Sequence, residues 1–347
     1  MALHPFRQPL GRLVHLTIDS VALRGNLLGD PTCRTVAVYL PPGYDAGSRR
    51  YPLFVDLVGY TGSGLHHTGW RAFDESVPQQ VDRLVEQGVM GPVVVAFPDC
   101  FTSLGGNQYI DSAALGNWAT YLTQEMVPAL EAEFRLIGGR DGRAVFGKSS
   151  GGYGALIHGM LYPQHWGAVA CHSGDMAFEL CYRKDFPHVL TTLAQRGGTA
   201  ETFIDGLRAG RGVSGSDFHV LMTLAMAATY DPDPGAPYGV RLPVDPETAE
   251  LDEEAWSRWQ AWDPVHLVDR PAVQEALRSL HALYIDCGDR DQYDLHFGAR
   301  RLVRKLKSHA IDHVYEEFPD NHSRIDYRMD HSLPILYSGL AGAQATG

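Results

Sequence analysis

Basic charge, paired cysteines and long apolar runs are what this chain lacks. Its 29 Lys and Arg face 41 Asp and Glu, a net charge of −12. Nucleic acids and anionic membranes are bound through basic patches, so neither is expected as a partner. The cysteines stand alone at positions 33, 100, 171, 181 and 287. An odd number with no C-x-x-C spacing reads as free thiols in a reducing compartment. The longest apolar stretch, Val220 to Ala228, is too short to span a bilayer. Met1 to Arg7 carry no apolar signal core. A cytoplasmic location is therefore expected, with the Asn321-His322-Ser323 sequon unglycosylated. No internal repeat or low-complexity tract is present. What remains is ordinary globular composition, 44 % hydrophobic and 20 % charged over 347 residues, enough for one large α/β domain with an insertion. Homo-oligomerisation is left open.

The richest stretch is Gly147-Lys148-Ser149-Ser150-Gly151-Gly152. It reads as a nucleophile elbow, G-x-S-x-G, after the apolar strand Arg143 to Phe146 and before the small-residue helix Gly152 to Met160. Glycines flank the serine because the strand-to-helix turn is too sharp for nearby side chains. The turn lifts the Ser149 hydroxyl above the sheet. A Walker A spacing also runs from Gly142 to Ser149, but its four variable residues are Arg-Ala-Val-Phe, which read as the strand itself rather than a phosphate loop. With 37 glycines in the chain, the elbow motif can arise by chance, so it needs partners.

An elbow serine works with an acid and a histidine that follow it in the chain, each on a loop after a later strand. The strand His281 to Asp286 runs into Cys287-Gly288-Asp289-Arg290-Asp291. Asp291 is favoured as the acid because G-x-x-D lets the loop turn first; Asp289 is the rival, read as an exposed turn residue or a partner for Arg290. The strand His313 to Phe318 leads to His322, the expected general base, since an imidazole can take and return a proton near neutral pH. His331 is the reserve, in a closing helix over 324–340, and His172 reads as structural. The strand Pro52 to Val58 precedes Gly59-Tyr60-Thr61, so the N–H groups of Tyr60 and Ser150 are the expected oxyanion donors.

These residues, with Val38-Tyr39-Leu40-Pro41-Pro42-Gly43-Tyr44, Arg50-Tyr51-Pro52 and Phe97-Pro98-Asp99, give a chain that resembles the putative-esterase family of α/β-hydrolases. That family includes S-formylglutathione hydrolases, feruloyl and acetyl-xylan esterases, enterochelin-esterase-like enzymes and mycolyltransferases. The resemblance implies an α/β-hydrolase fold, Ser149, Asp291 and His322 as the triad, and Tyr60 as an oxyanion donor. Two departures stand out. Lys148 precedes the serine where many members carry histidine or another residue; it is expected to form a surface salt bridge rather than to select anionic substrates. The segment from Gly174 to Asp263 is longer and richer in Trp and Met than in S-formylglutathione hydrolases.

The pattern predicts strands near 12–19, 34–40, 52–58, 92–97 and 166–171, with helices near 75–87 and 117–134. Strand–helix alternation means a mostly parallel sheet covered on both faces, with antiparallel strands at its start. Residues 1–174 and 266–347 form the core, and 175–265 are expected as a cap. In the cap, Gly206, Gly210, Gly212 and Gly215 mark a loop, and Phe218 to Tyr230 an apolar helix. Met222, Met226, Trp256 and Trp259 are the expected substrate-binding residues, with Trp262 continuing the Trp series. Neither a cofactor nor a metal is expected: His66-His67 and His309/His313 lack accompanying acids or cysteines at ligand spacing. The expected function is a serine esterase acting on small-molecule esters of short to medium acyl length. An acyltransferase on the same triad is the alternative, and a non-catalytic binding protein the remaining one.

Overall fold

The computed structural model describes residues 6–215 and 217–346. Eight strands build one sheet: β1 (Arg12–Asp19), β2 (Cys33–Leu40), β3 (Leu53–Leu57), β4 (Val94–Pro98), β5 (Arg143–Lys148), β6 (Ala168–His172), β7 (Ala282–Gly288) and β8 (Val314–Phe318). Their spatial order is β1-β2-β4-β3-β5-β6-β7-β8. β1 and β2 pair antiparallel, as do β2 and β4; the rest run parallel. The fold is that of an α/β-hydrolase, with the antiparallel strands at the start where the sequence places them.

Strand alternation sorts side chains to two faces. Leu53, Val55 and Leu57 of β3 join one buried cluster, whereas Phe54 joins another. On the Phe54 face lie helix α1 (Val77–Glu86) and the closing helix Met329–Thr346, through Val77, Val81, Leu84, Leu333, Leu336 and Leu340. α1 starts on a capping box, Ser76 with Gln79, which satisfies two of its otherwise orphaned N–H groups. The Leu53 face is covered by α2 (Ser150–Leu161) and the helix Leu295–Ser308.

Residues 175–265 add helices to that same face, among them α3 (Asp217–Tyr230) and α4 (Glu253–Gln260). Their apolar side chains belong to the cluster that includes β3 and β5. Gly206 lies within the helix Ala200–Arg208 rather than in a loop, a correction to the glycine reading. The helix expected over 117–134 is interrupted by a π turn at Tyr121–Met126, where the Val127 N–H reaches back to the Leu122 carbonyl. Pro128 follows, and its missing N–H removes the next regular helix bond.

Because β3 and β5 to β8 are parallel, their carboxyl ends open at one edge, where binding clefts form in such sheets. Segments 58–62, 148–150, 173–175, 289–293 and 319–322 all leave strands there.

Candidate active site

Arg143–Lys148 is a strand, so the Walker spacing is spent on sheet structure and the nucleotide-loop reading falls. Ser149 sits on the turn into α2 with φ 58 and ψ −126. A non-glycine residue there stores roughly 1–3 kcal/mol of strain. The surroundings enforce it. The Ser149 N–H donates to the His172 carbonyl at 2.9 Å, and close packing leaves no room for side chains on either flank. A Cβ on Gly147 would stand 2.2 Å from the Leu57 carbonyl oxygen, and one on Gly151 only 1.8 Å from it.

His322 Nδ1 lies 2.7 Å from Asp291 Oδ2, and both side chains are buried. The Asp291 loop turns back on itself through its N–H bond to the Gly288 carbonyl, and Asp291 Oδ1 accepts the Tyr293 N–H. The Tyr293 ring packs edge-on against the imidazole at 4.9 Å. Gln292 Oε1 accepts the His322 N–H at 3.0 Å. Asp289 is exposed and pairs with Arg290. His331 contacts Glu316 at 3.1 Å. His172 is held between Asp286 and the Ser332 hydroxyl.

Ser149 and His322 line one cavity of about 190 Å³ together with Tyr60 and Ser150. Among the described residues, no acceptor is paired with the backbone N–H of Tyr60 or of Ser150. The Tyr60 carbonyl accepts from Gly106, and its phenol donates to the Leu104 carbonyl, so the loop is fixed from behind. Ser150 Oγ lies 2.8 Å from Gln108 Nε2 and 3.3 Å from Asp175 Oδ2, and Tyr182 donates to that same carboxylate oxygen at 2.8 Å. Burial raises the Asp175 carboxyl above the usual carboxylate range, against the Tyr182 hydrogen bond and the charge of His322. Gln108 and Asp175 carry no motif, and sequence reasoning missed both.

The rest of the wall has two characters. Part of the lining is apolar: Cys181, Tyr182, Phe218, Met222 and Leu295. Another part carries charge, with Lys148, Arg71, His66, His67 and Asp326. Met222, expected to touch substrate, lines this cavity. Met226, Trp256 and Trp259 are not on this wall: each is at most 2 % exposed and sits in the core. Trp259 packs on Tyr182, Phe186 and Tyr230. Their volume is spent on joining the insertion to the core, and the pocket reading of these three is corrected. Lys148 also departs from expectation. It lines the cavity and, among the described residues, its ammonium makes no ion pair; burial draws its pKa below the usual lysine value.

Three of the four histidines weighed as metal ligands have polar protein partners, and His66 packs on the His67 ring. His67 bonds Asp56 at 2.6 Å, His309 pairs with Asp269, and His313 Nδ1 meets the Ile311 carbonyl. Glu179, Asp263 and His266 bring possible ligand atoms within 4.8 Å of one another, but the Asp263 carboxylate already accepts the N–H groups of Ala177, Phe178 and Val265. No helix among the described residues is long and apolar enough to cross a membrane.

Comparison with known proteins bears on this geometry. A family model described as putative esterase matches residues 31–331. Esterase Rv1288 and esterase MT1326, from two Mycobacterium tuberculosis strains, are each 31 % identical over 157 residues, 44 % of this chain. The matched part is 30 % of those proteins' length. Among solved structures, a ferulic acid esterase superposes with TM-score 0.61 at 19 % identity, covering 95 % of this chain and 98 % of its own. An S-formylglutathione hydrolase from Agrobacterium tumefaciens gives 0.57 at 17 % identity, covering 98 % and 100 %. At those identities the structures speak for the fold.

Proposed function

The chain belongs to the putative-esterase family, and we propose that it is an esterase that hydrolyses carboxylic esters through a Ser149 acyl-enzyme. One observation carries the proposal: a strained elbow serine shares a cavity with a histidine whose Nδ1 is 2.7 Å from a buried aspartate. Ser149 Oγ attacks the ester carbonyl while His322 Nε2 takes its proton. The tetrahedral oxyanion is held by the N–H groups of Tyr60 and Ser150, each typically worth about 3 kcal/mol. His322 then protonates the leaving alcohol as the C–O bond breaks, and water releases the acid by the same steps in reverse. Asp291 holds the imidazole in the Nδ1–H tautomer and stabilises its cation. The reaction draws on no cofactor.

Gln108, Asp175 and Tyr182 act behind Ser150, fixing the residue whose N–H faces the oxyanion. Residues 175–265 serve as a cap, through Phe218 and Met222. A cavity of about 190 Å³ fits small-molecule esters of short to medium acyl length. The test is fluorophosphonate labelling with peptide mass spectrometry, alongside p-nitrophenyl-ester turnover. Both should vanish in Ser149→Ala; survival of both would overturn the assignment.

A further inference from the structure

The chain has four lysines, Lys148, Lys184, Lys305 and Lys307. Lys184 is bound to Asp294 and Lys305 to Asp269, each at 2.5 Å near the surface. Lys148 immediately precedes the nucleophile and lies on the cavity wall. An ammonium withdrawn from water without a partner is costly. The neighbouring charges are already committed: Arg71 to Asp326 at 2.5 Å and to Asp74 at 3.9 Å, and His67 to Asp56. Lys148 is the cation on this wall with no contact partner among the described residues.

We propose that this wall recognises a carboxylate on the substrate, so that the esters taken are anionic, with Lys148 as the specificity-determining residue. The chemistry rests on the serine-esterase reading above; the binding does not.

Two further observations agree. Lys148, Arg71 and His67 gather at this wall despite a chain charge of −12. Asp326 shows this: burial alone would raise its pKa, yet His67, Lys148 and Arg71 together hold the carboxyl below its usual range. His66 is moved down by burial and by the same positive surroundings. The cavity is also polarised. Besides Lys148 the lining includes Phe218, Met222 and Leu295. An anion set against those side chains would meet apolar surface. An ester with a carboxylate at one end and hydrocarbon at the other therefore has one favourable orientation: carboxylate to Lys148, hydrocarbon to Phe218 and Met222.

The experiment separates binding from turnover. Ser149→Ala protein is titrated calorimetrically with two isosteric pairs: monomethyl adipate against methyl hexanoate, and 4-acetoxybenzoate against 4-acetoxytoluene. The first pair carries the charge on the acyl side and the second on the leaving group. In at least one pair the carboxylate should bind about tenfold tighter or more, as a hydrogen bond to a charged group provides. The pair that shows this identifies the side. Added salt should shrink the preference. Ser149→Ala/Lys148→Gln should lose most of it, and Ser149→Ala/Lys148→Arg should keep most of it. The proposal is overturned if neither carboxylate is favoured, or if the preference survives Lys148→Gln, in which case Lys148 only balances Asp326 and Asp291 through space. Should Lys148→Gln not fold, the preference and its salt dependence in Ser149→Ala still decide. A carboxylate preference in a protein that neither labels at Ser149 nor turns over esters would remove the serine-esterase reading and leave this one standing.

Discussion

Asp291 Oδ2 lies 2.7 Å from His322 Nδ1, while its other oxygen accepts the Tyr293 N–H at 2.9 Å. The carboxylate is thereby aimed as well as near. Its rival Asp289, on the same loop, faces solvent and Arg290. Asp291→Asn should lower kcat by roughly 10³–10⁴, because an amide no longer enforces the Nδ1–H tautomer. Asp289→Asn should change it by no more than about twofold. Steady-state kinetics on p-nitrophenyl acetate checks both, and the reverse ranking would move the acid to Asp289.

The insertion offers a contrast between lining and support. Trp259 is fully buried against Tyr182, Phe186 and Tyr230. Trp259→Ala should therefore cost about 3–5 kcal/mol of stability, read as a large drop in denaturation midpoint. Met222 lines the cavity, so Met222→Ala should shift the preferred acyl length upward. An acetyl-to-palmitoyl series gives the readout. A wild-type maximum at palmitoyl with activation by micelles would show that the insertion is a lipase lid.

His158 on α2 predicts acid sensitivity. It lies wholly inside, Nε2 against the Tyr109 carbonyl at 2.9 Å and Nδ1 accepting the Trp166 indole at 3.0 Å. Burial lowers its pKa from 6.5 to about 4, the Tyr109 carbonyl opposing. The sign follows from linkage. Above pH 6.5 neither state binds the proton, and this stability is intact; between 6.5 and about 4 the unfolded chain binds it and the folded one does not. Folding stability should fall by about 2 kcal/mol from pH 7.5 to pH 5 through this group alone. Urea midpoints at the two pH values test it: His158→Gln should flatten the difference, and an equal pH dependence in that variant would refute the assignment.

The elbow predicts a packing failure rather than a chemical one. Gly151→Ala puts a Cβ 1.8 Å from the Leu57 carbonyl oxygen, against backbone that cannot swing away. The variant should express poorly or melt far below the parent, whereas Ser149→Ala should fold normally and only lose labelling. Circular dichroism separates the two.

Local pattern carried the elbow, the strands that end at the cleft and the order of Ser149, Asp291 and His322 in the chain, because each depends on short-range spacing. The glycines around Ser149 are demanded by a turn within the motif itself. Strand alternation likewise follows from which residues along β3 are apolar, Leu53 and Val55 facing one way and Phe54 the other.

Which side chains face the cavity was a tertiary decision. Met222 and Met226 share one helix and one chemistry, yet only Met222 reaches the wall; Trp256 and Trp259 turn into the core because that is where their surface is best buried. Lys148 reads as a surface lysine until the elbow turns it toward the nucleophile's cavity. Gln108 and Asp175 are 67 residues apart and meet behind Ser150. Such contacts follow from how strands and loops converge at one sheet edge, a long-range geometry that leaves no local pattern to read.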